Sequence, residues 1–91
     1  MDFEWDEAKN RANIAKHGID FTRAKEIFSG PTVNFLDHRR NYGEIRRVAI
    51  GLVEGREVYV IYTVRGEVYR IISARRANRS ERRAYRQTYP W

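Results

Sequence analysis

The sequence predicts an α+β domain made of two helices, an antiparallel sheet and a terminal helix. Two observations predict the sheet. Residues 44–53 (EIRRVAIGLV) and 56–65 (REVYVIYTVR) are rich in Val, Ile and Tyr, and they flank Glu54-Gly55, a dipeptide suited to a two-residue hairpin. A third observation predicts the helices: Asp6, Asp20 and Asn78 each stand where a helix N-cap would, ahead of residues that favour helix. With 91 residues the chain makes one domain, residues 1–91, around a modest core.

Taken in order, Phe3-Glu4-Trp5-Asp6 reads as a short edge strand leading into a helix from Glu7 to about His17, which stops at Gly18. A second helix is expected from Phe21 to Phe28. Phe21, Ala24, Ile27 and Phe28 form its buried stripe, and Ser29-Gly30-Pro31 ends it. Residues 32–37 (TVNFLD) read as a strand and His38 to Gly43 as a polar loop. After the hairpin, a turn at Arg65-Gly66 or Gly66-Glu67 returns the chain as VYRIISAR, completing a three-stranded meander. Asn78 with Glu81 three residues on forms a capping-box pattern for a helix over 79–88, docked by Ala84 and Tyr85.

With Glu54-Gly55 as the loop, Val53 faces Arg56, Ile50 faces Tyr59, Val48 faces Ile61, Arg46 faces Thr63 and Glu44 faces Arg65. The same parity sets Arg70, Ile72 and Ala74 beside Thr63 and puts Ser73 and Arg75 on the opposite face. A bulge would reverse that assignment. One face then ends in Glu44, Arg46, Thr63, Arg65 and Arg70, a cluster fit to hold a phosphate. The other face, with Ala49, Val58, Val60 and Ile71, is more continuously apolar and is expected to carry the two N-terminal helices. The bland alternative for the arginines is an ordinary solvated sheet end paired with Glu44.

Charge points the same way. The net charge is +6, and fifteen of the eighteen basic residues are arginines. Residues 1–30 hold five basic against six acidic side chains, whereas residues 31–91 hold thirteen against six. Arginine's planar fork suits phosphate, so this bias favours a nucleic-acid or acidic-protein partner. Cysteine is absent, which excludes a disulfide framework and a thiolate zinc site. The two histidines, His17 and His38, with no HExxH pattern, give no metal motif, and no glycine-rich phosphate loop or nucleophile elbow is present; no metal and no cofactor are expected. No apolar run approaches membrane-spanning length and the acidic start lacks a signal-peptide pattern, so a soluble cytoplasmic protein is expected.

Metal-free RNA cleavage asks least of such a chain, because the substrate's 2′-hydroxyl is the nucleophile. Arg46, Arg65 and Arg70 are candidates to hold the phosphate, Glu44 or His17 to take the proton, and Tyr85 or an arginine to assist the leaving oxygen. Glu44 has a competing role holding Arg65, and His17 one as a charge-complementing helix end. His38, in a polar loop, is expected to be solvent-exposed. Tyr42 and Trp91 are candidates to stack on bases.

The motifs FxWDExKNxxN (3–13), KHGIDF (16–21), GExR (43–46), YTxRG (62–66) and RIISAR (70–75), followed by ExxxY (81–85), resemble the BrnT toxin family nearly end to end. That resemblance implies a RelE-like fold and a ribonuclease toxin of a type II toxin-antitoxin system. It also implies a partner similar to BrnA, an antitoxin with a ribbon-helix-helix DNA-binding part, whose complex with the toxin sits on operator DNA. It carries a role onto Glu44, Arg46, Thr63, Arg65, Arg70, Ser73, Arg75, Glu81 and Tyr85, with Lys16 and His17; Thr63, Lys16, Arg75 and Arg47 are candidate substrate contacts. The chain departs from the family in its arginine-dense end, RRANRSERRAYR, which suits added RNA affinity or an acidic antitoxin segment. A non-catalytic nucleic-acid or antitoxin-binding module is the alternative of a different class.

Overall fold

The computed structural model covers residues 1–91 and contains a five-stranded mixed sheet and three α-helices. The elements are β1 (Asp2–Glu4), α1 (Glu7–His17), α2 (Phe21–Ala24), β2 (Val33–Leu36), β3 (Arg47–Val53), β4 (Arg56–Arg65), β5 (Val68–Arg76) and α3 (Arg79–Thr88). The strands lie in the order β1-β5-β4-β3-β2, antiparallel except for β1, which pairs parallel with β5.

The β3–β4 register is that of the hairpin arithmetic, with Val53 opposite Arg56, Ile50 opposite Tyr59 and Val48 opposite Ile61. Glu54 and Gly55 both take positive φ (51° and 78°), the backbone a two-residue turn of right twist demands. Two expectations change. First, β3 starts at Arg47 and not Glu44, so Glu44 and Arg46 belong to a loop rather than to the ladder. Second, the β4–β5 register slips between Ile61 and Tyr62: Tyr62 opposes Ile71, but Ile61 opposes Ser73. Ile72 is the extra residue, and beyond it every side chain changes face. Ala74 therefore joins the face of Val60, and Ser73 and Arg75 join the face of Ile61 and Tyr59, the reverse of the sequence parity.

One face packs Ala49, Val58, Val60, Tyr62, Ile71 and Ala74 against Phe21, Ala24 and Ile27. The predicted second helix is shorter than expected, because after Ala24 the chain tightens into a 3₁₀ turn, Lys25–Ser29. That turn lies directly on Gly51. A Cβ there would come within 2.7 Å of the Ile27 Cβ, so a glycine is what lets this segment approach β3. Helix α1 is pinned by amides more than by apolar side chains. Asn13 donates to the Ile19 and Ala74 carbonyls (2.9 and 2.8 Å) and accepts from the Ala74 N–H (3.1 Å); Asn10 accepts from the Phe21 N–H (2.9 Å). Both asparagines are buried. The KNxxN part of the N-terminal motif thus serves the fold.

The other face packs Val48, Ile50, Tyr59 and Ile61 against Ala77 and Tyr85. Helix α3 covers the β2–β3–β4 part of it and starts with the predicted capping box between Asn78 and Glu81. Its anchor is Tyr85, while Ala84 is exposed. No helix is long and apolar enough to cross a membrane.

Candidate functional site

The loop from Asp37 to Arg46 hangs off the ends of β2 and β3 and is held by short local bonds. The Asp37 N–H donates to the Arg46 carbonyl (2.8 Å), tying its two ends together. The buried Asp37 carboxylate accepts from Arg39 Nε and Nη2, both at 2.9 Å, and from the Arg39 N–H at 3.2 Å. These bonds lower the Asp37 pKa to about 2. Asn41 Oδ1 accepts from the Gly43 N–H (2.9 Å), folding the tip.

That frame sets the Arg46 guanidinium over the Tyr42 ring, 3.8 Å from its centroid, with Arg40 at 5.8 Å from the same ring. Arg46 Nε is buried and has no hydrogen-bond partner, the one side-chain nitrogen or oxygen in the molecule of which this is true. A buried N–H left unpaired costs about 1–3 kcal/mol. The loop encloses a shallow cleft of about 340 Å³ whose wall includes His38, Arg40, Tyr42, Glu44 and Arg46, with Leu36 and Ile45 as its apolar part.

The neighbouring sheet end supplies the rest. Thr63 Oγ1 donates to the Ile45 carbonyl (2.8 Å), and Arg65 Nη2 lies 3.4 Å from the Glu44 carboxylate, a long and half-exposed pairing. Glu44 is therefore brought to Arg65, as the strand arithmetic predicted, and Thr63 holds the main chain next to Arg46, although Glu44 and Arg46 arrive by loop. Arg70 opposes Thr63 in register, but its guanidinium turns away to Glu4 of β1 at 2.5 Å. Arg47 projects to the other face, opposite Tyr62.

Further along the same face Arg75 lies over the Tyr59 ring, 4.0 Å from the centroid, and grips Glu81 through two bonds of 2.8 and 3.0 Å. Burial would raise the Glu81 carboxyl, yet the Arg75 bonds and the Asn78 N–H outweigh it and leave its pKa lowered. Burial raises the Tyr59 phenol. Arg75 thus fastens α3 to β5 while its stem stays on the face of the cleft.

Three more candidates are not at this cleft. Lys16 and His17 end α1, which packs on β5 at the opposite face through Asn13 and Ala74. Tyr85 is buried in the α3 core, and its hydroxyl donates to the Pro31 carbonyl (3.1 Å), so its size and polarity are spent on packing. Sequence reasoning placed His38 as a solvent-exposed loop residue, which it is, and assigned Arg39 and Arg40 no role. The run DHRRNYG has no periodicity to place its side chains; its usable signals were the Asn-x-Gly turn and an aspartate two residues before an arginine. No group of three or more His, Asp or Glu side chains converges.

The fold and site define a small α+β protein with a cleft of arginines and a tyrosine and a basic second half. A family model described as the ribonuclease toxin BrnT of type II toxin-antitoxin systems matches residues 5–81, and the chain belongs to that family. No curated protein matches it by sequence.

Proposed function

We propose that this toxin cleaves RNA without a metal ion, at the cleft between the 37–46 loop and the Thr63–Arg65 strand end. The observation that carries the reading is the Arg46 guanidinium, oriented on the Tyr42 ring in the cleft wall and left without an ion pair. A phosphate oxygen is the acceptor that guanidinium lacks; Arg40 in the same cleft wall and Arg65 beside Glu44 add charge around it. The RNA 2′-oxygen attacks phosphorus, the P–O5′ bond breaks, and a 2′,3′-cyclic phosphate and a 5′-hydroxyl form. Glu44 takes the 2′-hydroxyl proton; its contact with Arg65 is long enough to leave it an available acceptor. His38 gives a proton to the leaving 5′-oxygen from the same cleft wall. A RelE-like fold is part of the same reading.

Its partner is proposed to be a BrnA-like antitoxin with a ribbon-helix-helix part, through which the complex reaches operator DNA in the cytoplasm. Exposed Phe35, Leu36 and Ile45 beside the cleft support a protein surface there that would cover the site.

The test is cleavage of a defined RNA by the purified chain in EDTA, with Arg46→Ala and Arg65→Ala alongside. Removing one donor that stabilises transition-state charge costs on the order of 10²-fold in rate. Cleavage that survives chelation and collapses in Arg46→Ala is the expected result. Intact RNA with folded wild-type protein would move the chain to the alternative, a non-catalytic nucleic-acid or antitoxin-binding module.

A further inference from the structure

At the other end of β4, about 30 Å from Arg65 at a rise of roughly 3.3 Å per residue, a second basic surface is built from different elements. Arg79, Arg82, Arg83 and Arg86 follow one another on α3 at the spacing that makes a single stripe, and they wall a groove of about 400 Å³ that has no hydrophobic lining residue. Arg82 and Arg86 also border the adjoining hollow, where Arg56 and Arg76 enter from the ends of β4 and β5. Of these six arginines only Arg86 has a carboxylate, Glu57 at 3.1 Å. Arg82 gives one N–H to the Ala77 carbonyl, and the others make no ion pair.

Around the cleft the pattern is mixed: Arg40 and Arg46 lie over Tyr42 without a carboxylate, whereas Arg39 and Arg65 pair with carboxylates, as do Arg70 and Arg75 nearby. Five like charges left unneutralised on one surface repel one another and oppose folding unless a polyanion takes them up. The groove's composition selects among polyanions. A protein partner is held by buried apolar anchors, which this groove lacks, whereas phosphates need only guanidinium forks. The exposed C-terminal Trp91, stacked edge-on to Tyr89 at the end of the same helix, adds an aromatic surface for an unpaired base.

We propose that the α3 stripe, with Arg56 and Arg76, is a second RNA-binding site that holds the phosphate backbone of the substrate strand away from the scissile bond. The inference rests on RNA as the substrate of this toxin, but not on which residues perform the chemistry. It makes long RNA a better ligand than short RNA without changing the cleavage step.

The test is salt-dependent binding of the full chain to an RNA of about twenty nucleotides, fully 2′-O-methylated so that no 2′-hydroxyl can attack. Each phosphate contact on a single strand contributes about 0.7 to the log–log salt slope, so Arg79→Gln with Arg83→Gln lowers it by about 1.4 and weakens binding several-fold at low salt. Arg79→Lys with Arg83→Lys restores the slope, because charge and not fork geometry sets it. A four-nucleotide version of the RNA is bound equally by all three proteins. An unchanged slope in the glutamine variant would overturn the proposal. So would a larger loss of affinity for duplex DNA, or for a poly-glutamate peptide, than for the long RNA. Wild-type cleavage of the methylated RNA would remove the 2′-hydroxyl mechanism and leave this site standing.

Discussion

The two faces of the sheet treat their polar groups in opposite ways. On the α1–α2 face every buried amide is used: Asn13 makes three bonds and Asn10 two, one of them to the Asp20 carboxylate. On the α3 face, at the 37–46 loop, an arginine is held in place by an aromatic ring while its Nε is left without a partner. A surface that only has to fold gains by satisfying everything, and one that has to bind keeps a group in reserve. Stability and cleavage should therefore be separable by face.

The largest effect expected is on cleavage. Arg46→Ala, expected to cost on the order of 10²-fold in rate, should leave stability nearly unchanged. It gives up about 0.5–1 kcal/mol of cation–π contact and removes a buried N–H that was itself a cost. Chemical denaturation reads this directly, and a loss above about 2 kcal/mol would mean that Arg46 is a structural residue. Asn13→Ala is the mirror experiment. It strands the Ala74 N–H and two carbonyls where α1 meets β5, so unfolding should become easier by roughly 2–3 kcal/mol, while the folded fraction keeps its kcat. Equal kcat loss in both variants would erase the distinction between the faces.

Gly51→Ala sharpens it further, because it adds one methyl on the folding face and nothing elsewhere. The new Cβ would meet the Ile27 Cβ at 2.7 Å and the Ile27 carbonyl oxygen at 3.2 Å. Backbone and a branched side chain yield little, so overpacking of about 1–3 kcal/mol is expected. A melting temperature equal to wild type would show that the 3₁₀ turn slides freely on β3.

The same contrast explains what could be read from the chain without coordinates. The β3–β4 register was legible because Glu54-Gly55 fixes a two-residue loop and period-two alternation does the rest. The three helix starts were legible from their caps. The bulge at Ile72 was not, since Ile71 and Ile72 are interchangeable to a hydrophobic pattern, and that one residue decided the face of Ser73, Ala74 and Arg75. Glu44 was placed correctly beside Arg65, but it and Arg46 were read as strand residues, because the apolar-poor start of EIRRVAIGLV carries no mark of where pairing begins. His38 was legible as an exposed loop residue, but the place of His38 and Arg40 at the cleft was out of reach, since it depends on how Asp37, Arg39 and Asn41 fold a loop. Tyr85 and His17 fit a catalytic list by chemistry alone; burial and the choice of face, both tertiary facts, removed them from the cleft.

Asp37 belongs to both behaviours, and its pH dependence is the smallest and most discriminating effect. Its carboxylate, lowered to about 2 by the Arg39 bonds, has a folded pKa below the unfolded value of about 3.9. The stability it contributes is therefore complete above about pH 4 and disappears as pH falls through about 2. Asp37→Asn removes that dependence, so the stability difference between wild type and variant should shrink across this window and be constant at neutral pH. Because the Asp37 N–H also holds the Arg46 carbonyl, the variant tests how the cleft is set. A loop ordered by the Arg39 pair loses RNA affinity in Asp37→Asn at pH 7, since Arg46 and Tyr42 are then no longer held for the incoming phosphate. Unchanged affinity would mean that the backbone bond and the ring alone position Arg46, and that the Asp37–Arg39 pair belongs with the folding face in function although it lies beside the cleft.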